Sequence, residues 1–278
     1  MSLHFYESQG AGLAYRETGS GLPVIFLHPT PLDHFYWGPL IDRLPGVRSI
    51  VPDLRGHGAS ELGTCLPVGD FAGVPDAPTL TVAQLASDIL ALLDRLTVGA
   101  AVFAGCSIGG YVLLELWRRA PERMRGLAFV CSKPQPDAEA NRAKRADTIA
   151  KAREGGREAL FDGMAQTLIG VSARTKRPAI APELRARMTL TVDAIVAVQA
   201  GLAARPDSVA TVATIAVPIL AVAGGEDVAV SPAEMDAFRA APGGCEYHLL
   251  PDAGHFAAYE QPNTVASLLT PWLKRFDT

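Results

Sequence analysis

Ser107 stands in the run Gly105-Cys106-Ser107-Ile108-Gly109. A serine hydroxyl is a weak nucleophile at neutral pH and needs a neighbouring base to take its proton. The G-x-S-x-G spacing carries little weight alone, so its setting decides. An apolar run, Ala100 to Ala104, precedes it and predicts a strand, and the uncharged residues after it predict a helix. A sharp strand–turn–helix forces the serine into a disfavoured backbone conformation and lifts its hydroxyl clear of the sheet. The positions two residues to either side must then be small, which Gly105 and Gly109 satisfy. Cys106 occupies a variable position of the pattern. Its thiol is expected to point away, so Ser107 and not Cys106 is the expected nucleophile.

The matching base is His255, which follows the last predicted strand in Leu250-Pro251-Asp252-Ala253-Gly254-His255. His4 and His248 fall within strands. His57, in Arg55-Gly56-His57-Gly58, sits in a tight turn that suits a structural hydrogen bond. The acid should end a strand lying between nucleophile and base. Val217 to Asp227 supplies it, with Asp227 the choice, Glu226 the runner-up and Asp252 a third candidate. Asp227 would accept the imidazole N–H, fix its tautomer and stabilise the imidazolium. Its competing role is a helix cap ahead of Ser231-Pro232.

The elements that must hold these groups are legible as alternating apolar runs and helical patterns, the sign of a mainly parallel sheet covered by helices. Eight strands are predicted, near residues 4–8, 13–17, 24–27, 49–54, 100–105, 126–131, 218–223 and 246–250. Thr81-Val82-Ala83-Gln84 reads as a capping box. The helix it opens places Val82, Leu85, Ile89, Leu92, Leu93 and Leu96 on one face. Another helix follows Ser107 and stops at Pro121. Ser231-Pro232 opens a third, and a fourth spans about Asn263 to Phe276. Residues 133–210 differ in kind, being rich in Ala and Arg with no strand-like run. They are expected to form a helical cap, inserted between a first core part, 1–132, and a second, 211–278. Its basic residues, Arg142, Lys144, Arg145, Lys151, Arg153 and Arg157, alternate with acidic ones and read as a solvated face rather than an anion site. The irregular loop from Glu61 to Thr79 reads as a pocket rim.

The 278 residues, 49% hydrophobic and 19% charged with a formal net charge of −4, describe a globular chain with no electrostatic pull toward nucleic acid or anionic lipid. The uncharged stretch from Leu96 to Leu114 is long enough for a bilayer, but its glycines break one continuous helix, and no membrane span is expected. The first residues, Met1 to Glu7, lack the basic and apolar regions of a secretory signal. The four cysteines form no C-x-x-C pair or zinc spacing, and reduced thiols in the cytoplasm are expected.

Taken together, His28 to Asp33, Pro52 to Gly58, Gly105 to Gly110, Gly225-Glu226-Asp227 and Gly254-His255 resemble the α/β-hydrolase superfamily. The likeness is to its capped bacterial branch of carboxylesterases, oxoadipate enol-lactone hydrolases and cofactor-free perhydrolases. The resemblance implies an α/β-hydrolase fold, a mostly parallel eight-stranded sheet flanked by helices with a helical cap inserted. It also implies the chain order Ser107, Asp227, His255 for a catalytic triad. It implies that the backbone N–H groups of Thr30 and Ile108 form the oxyanion hole. The family's usual His-Gly-x-Pro is here His28-Pro29-Thr30-Pro31, and neither proline can donate. Val228 and Phe256, each beside a triad residue, are expected to face the substrate. Asp33, His34 and Trp37 read as structural rather than as pocket edge.

The expected activity is hydrolysis of a small carboxylic ester or lactone through an acyl-enzyme on Ser107, with no metal or organic cofactor. Carbon–carbon bond hydrolysis and perhydrolysis by the same triad are the alternatives. A ligand-binding protein with a residual triad is the alternative from another class. Epoxide and haloalkane hydrolysis would need a carboxylate where Ser107 stands. The substrate's identity and the oligomeric state are left open.

Overall fold

In the computed structural model, residues 2–65 and 77–276 are described. Eight strands form one sheet: β1 (Leu3–Ser8), β2 (Ala11–Thr18), β3 (Leu22–Leu27), β4 (Val47–Pro52), β5 (Ala101–Cys106), β6 (Met124–Val130), β7 (Ile219–Gly224) and β8 (Cys245–Leu250). Their order is β1-β2-β4-β3-β5-β6-β7-β8. The β1–β2 and β2–β4 pairs are antiparallel and every other pair is parallel. All eight predicted strands are present. β5 and β7 are buried along their whole length, which is why they read as continuous apolar runs without alternation.

The helices are α1 (Gly38–Ile41), α2 (Val82–Arg95), α3 (Ile108–Arg119), α4 (Glu139–Lys151), α5 (Arg157–Thr167), α6 (Val171–Lys176), α7 (Ile180–Arg185), α8 (Val192–Ala203), α9 (Val209–Val212), α10 (Pro232–Met235), α11 (Ala257–Glu260) and α12 (Pro262–Leu273). Thr81 caps α2, its hydroxyl oxygen accepting from Gln84 N at 3.1 Å. The Gln84 amide turns outward to the Thr64 carbonyl instead of back to Thr81, so only half of the expected capping box forms. The full box appears at α10, between Ser231 and Glu234. Six helices, α4 to α9, lie between β6 and β7, where the sequence has no strand-like run.

The stretch Pro52 to Gly58 acts as an anchor. Arg55 is fully buried and grips Asp88 of α2 through two hydrogen bonds, of 2.8 and 2.7 Å, while a third reaches the Ser8 carbonyl at 2.8 Å. Asp53 accepts from the backbone N–H groups of His34 and Ala59, at 2.8 and 2.9 Å, and lies 2.7 Å from His34 Nδ1. Asp33 caps the 3-10 turn His34–Trp37 by accepting from Phe35 N, and Trp37 is fully buried. All three residues are structural, as the sequence suggested.

In parallel strands the carboxyl ends share one edge of the sheet. Leu27 lies opposite Gly105, Cys106 opposite Val130 and Gly224 opposite Leu250. The loops that leave β3, β5, β7 and β8 at this edge therefore bring residues 28–30, 107, 227 and 255 together, where ligands of open α/β sheets bind.

Candidate active site

Ser107 joins β5 to α3 at φ 52° and ψ −117°, outside the regions open to L residues at low energy. The turn is tight because strand and helix nearly touch. A Cβ on Gly105 would come within 2.6 Å of the Gly109 carbonyl carbon, and one on Gly109 within 2.3 Å of the Leu27 carbonyl oxygen. Ser132 Oγ donates to the Ser107 carbonyl at 2.9 Å and braces the turn from β6. Cys106 points the other way, fully buried, with its sulfur accepting from Tyr36 Oη at 3.2 Å. Burial pushes its thiol well above the ordinary range, so it stays protonated.

His255 Nδ1 lies 2.8 Å from Asp227 Oδ2. The other oxygen, Oδ1, accepts from Ala229 N at 2.7 Å and Val230 N at 3.0 Å. Burial works to raise the Asp227 carboxyl, but His255 and these two N–H groups outweigh it and hold the group below the usual carboxylate range. The carboxylate is thus ionised, accepting from the imidazole and closing a turn at Ala229 and Val230, while the helix cap that the sequence offered for it falls to Ser231. Ser107 and His255 line the same cavity. The Cys106 thiol, next to Ser107, reaches the His255 carbonyl at 3.6 Å, which ties the two loops together. No hydrogen bond joins the Ser107 hydroxyl to the imidazole in this structure. Such contacts commonly tighten only when substrate is bound.

The other acid candidates are engaged elsewhere. Glu226 accepts from Ser172 N and Ser172 Oγ at 2.9 and 2.6 Å, tying α6 to the end of β7. Asp252 pairs with Lys176 at 2.8 Å on the surface. Cys131 sulfur lies near the Asp227 and His255 ligand atoms. It donates to the Gly254 carbonyl at 3.5 Å, and burial pushes its thiol well up. A protonated thiol is a poor metal ligand.

Among the described residues no protein acceptor takes the N–H of Thr30 or of Ile108. Thr30 lines the cavity. Ile108 is the first residue of α3, where the helix leaves its N–H groups unpaired.

The cavity holds about 250 Å³. Val228 lines it as expected, but Phe256 does not. The Phe256 ring is fully buried, packed edge-on against Tyr36 at 6.1 Å. Sequence adjacency to His255 misled here, because the Phe256 ring packs between the imidazole, 5.7 Å away, and Tyr36 in the core. The basic group on α4 also needs correction. Arg142 and Lys144 are exposed, Lys144 at the cavity's edge, while Arg145 is half-buried and lines the cavity beside Asp137, Asn141 and Gln199. Asn141, Lys144 and Arg145 recur at helical spacing, the signal that they share one face of α4. Of the predicted rim loop, 66–76 lie outside the described residues. Thr64 and Thr79, at its ends, line a different cleft beside α2.

Glu260 on α11 was not anticipated. Its carboxylate accepts from Gly254 N at 2.7 Å, Gly170 N at 3.1 Å and Phe256 N at 3.1 Å. It braces the His255 loop on both sides and fastens it to the inserted helices. No sequence pattern marks such a residue, because its partners are backbone groups.

A sequence profile of the alpha/beta hydrolase family matches residues 24–268. The structure is similar to that of a thermophilic esterase from Thermogutta terrifontis, with 29% identity, all of both chains covered and a TM-score of 0.88. It also resembles the enol-lactonase from Burkholderia xenovorans, with 24% identity, 98% of this chain and all of the other covered, and a TM-score of 0.85. A provisionally named non-heme bromoperoxidase of Mycobacterium tuberculosis is 25% identical over 265 residues, which cover 91% of this chain and 94% of its own. None of the described helices is long and apolar enough to cross a membrane.

Proposed function

The chain belongs to the alpha/beta hydrolase family, and from that premise we propose that it hydrolyses a small carboxylic ester or lactone through an acyl-enzyme on Ser107. The observation that carries the reading is the 2.8 Å contact between His255 Nδ1 and an ionised Asp227, on the wall of the cavity that Ser107 also lines. With Nδ1 donating to Asp227, Nε2 is left as the base.

His255 takes the Ser107 proton as the hydroxyl oxygen attacks the substrate carbonyl. The developing oxyanion accepts from the N–H groups of Thr30 and Ile108. Protonated His255 then returns the proton to the leaving alkoxide, and the acyl group stays on Ser107. Water, deprotonated by His255, attacks the ester so formed, the acid leaves, and His255 returns the proton to the Ser107 oxygen. The steps need only this chain's residues and water. Likeness to an esterase and an enol-lactonase supports the substrate class, and residues 133–210 act as the cap over the site. A cytoplasmic location belongs to the same reading, which the four free thiols suit.

Ser107→Ala, assayed on short-chain aryl esters and simple lactones, is expected to lose hydrolysis while keeping the native circular dichroism spectrum and melting temperature. Near-normal turnover by this variant would refute the nucleophile. Likeness to the Mycobacterium tuberculosis bromoperoxidase favours a second reading, in which peroxide intercepts the acyl-enzyme and gives a peracid. Adding hydrogen peroxide and a carboxylic acid to the assay separates the two, since only a perhydrolase makes peracid faster than it hydrolyses esters.

A further inference from the structure

The cavity wall mixes two kinds of chemistry. Leu160, Phe161, Met164, Ile195 and Val198 from the inserted helices are apolar. Three cations, Lys133, Lys144 and Arg145, line it as well, against one carboxylate, Asp137.

Asp137 is already shared. Its Oδ2 accepts from Arg145 Nε at 3.0 Å, and its Oδ1 lies 2.7 Å from Nη1 of Arg205, which stands behind it against the Tyr111 ring at 4.4 Å. Burial works to raise the Asp137 carboxyl, and the two guanidinium groups outweigh it and hold it below the usual range. One ionised carboxylate thus serves two guanidinium groups and leaves one positive charge over. Lys133 is balanced by Glu234, which it contacts as an ion pair. Lys144 pairs with no carboxylate among the described residues. Counting Arg205 and Glu234, which pair with the lining residues from behind, this cluster carries four cations and two carboxylates, an excess of two positive charges.

The donors are also aimed. Arg145 Nη1 donates to Gln199 Oε1 at 3.0 Å, which fixes the Gln199 amide with its NH₂ group turned away from the guanidinium. Arg145 Nη2 has no hydrogen-bond acceptor among the described residues. Lys144 is exposed and Arg145 half-buried, so the unbalanced charge is open to an arriving anion. A guanidinium held in place by a carboxylate and an amide is suited to a planar oxyanion.

We propose that Arg145, Lys144 and Gln199 form a subsite for a carboxylate carried by the substrate. The substrate would then be a half-ester of a dicarboxylic acid. This assignment rests on the serine-hydrolase reading above and refines its substrate class. The apolar side chains of the same wall would pack against the methylene chain.

The test compares aryl half-esters of succinic, glutaric and adipic acid with methyl-ended aryl esters of matched length. The intact protein is expected to favour at least one half-ester over its neutral counterpart in kcat/KM by tenfold or more. Lys144→Gln and Arg145→Gln, singly and together, are expected to shrink that ratio, the pair by at least tenfold. Arg145→Lys should retain part of it, and 0.5 M salt should reduce it in the unsubstituted protein. Equal or poorer turnover of every half-ester by the unsubstituted protein would overturn the subsite, as would a double variant that slows charged and neutral esters equally. Labelling of Ser107 by a fluorophosphonate, run in parallel, separates the two claims. Labelling without a preference for charge sinks the subsite alone, and absence of labelling sinks the serine-hydrolase reading beneath it.

Discussion

His57 Nε2 lies 2.9 Å from the hydroxyl oxygen of Thr30, and His57 Nδ1 lies 3.0 Å from the Arg55 carbonyl. A carbonyl only accepts, so Nδ1 holds the proton and Thr30 donates to Nε2. The ring is fully buried, and burial lowers its pKa, which keeps it neutral. Thr30 stands between two prolines that have no N–H, so the one backbone donor of Pro29-Thr30-Pro31 belongs to a residue held by a side-chain bond from the Arg55–Gly58 turn.

If the Thr30 N–H holds the oxyanion, loosening this bond should slow the chemical step more than it weakens binding. Thr30→Val and His57→Ala are expected to lower kcat roughly tenfold, short of the 10²–10³ lost when such a donor is removed outright. Thr30→Ser keeps the hydroxyl and should retain most of the rate. Separate determination of kcat and KM checks this, and a loss confined to KM would argue against the role.

The acid assignment predicts an uneven pair. Asp227→Asn should cost about three to four orders of magnitude in kcat, because an amide no longer fixes the imidazole tautomer. Glu226→Gln should cost far less, since Glu226 faces Ser172. Steady-state rates of the two variants decide, and a larger loss at Glu226 would reverse the choice.

Glu260 accepts three backbone N–H groups. Glu260→Ala leaves them without a partner, and each buried N–H so stranded costs about 1–3 kcal/mol. Urea unfolding should show a loss at the upper part of that range or beyond it, accompanied by a fall in turnover because the His255 loop is freed. Unchanged stability would show that water replaces the carboxylate.

Arg55 and Asp88 are both buried. Asp88→Ala strands a guanidinium and is expected to cost about 3–5 kcal/mol, while a joint apolar replacement of both residues should cost much less. Thermal melts of the single and double variants check the difference.

The stability should depend on pH through His28. Burial lowers its pKa from 6.5 to about 3, and its Nε2 accepts from Leu54 N at 2.9 Å. Between those values the unfolded chain holds a proton that the folded chain does not, so stability rises with pH. It is fully present above pH 6.5 and is lost as pH falls from there toward 3, by about 1.4 kcal/mol per pH unit inside the window. His57, lowered by burial too, acts in the same direction. Denaturant titrations at pH 7.5, 6, 5 and 4 measure the slope, and a flat profile from 6 to 4 would contradict it.

The sequence by itself determined the sheet, the serine turn and the chain order of the candidate residues. These depend on local patterns, namely apolar runs bounded by turns, glycines where strand meets helix, and acidic and imidazole groups just past strand ends. It left Asp227 between imidazole acceptor and helix cap; in the fold one oxygen accepts from His255 and the other closes a turn, and Ser231 caps the helix.

Only the tertiary structure decided what faces the cavity. Phe256 and Val228 look alike in sequence, each beside a candidate residue, yet one is in the core and the other on the wall. Arg142 and Arg145 belong to one charged run, yet only Arg145 turns inward, because Asp137 and Gln199 wait there. Glu260 gives no local signal, since its partners at Gly170, Gly254 and Phe256 are backbone groups from two distant segments. A periodic pattern records how one element meets its surroundings on average, whereas a site depends on which particular elements meet, and long-range packing fixes that.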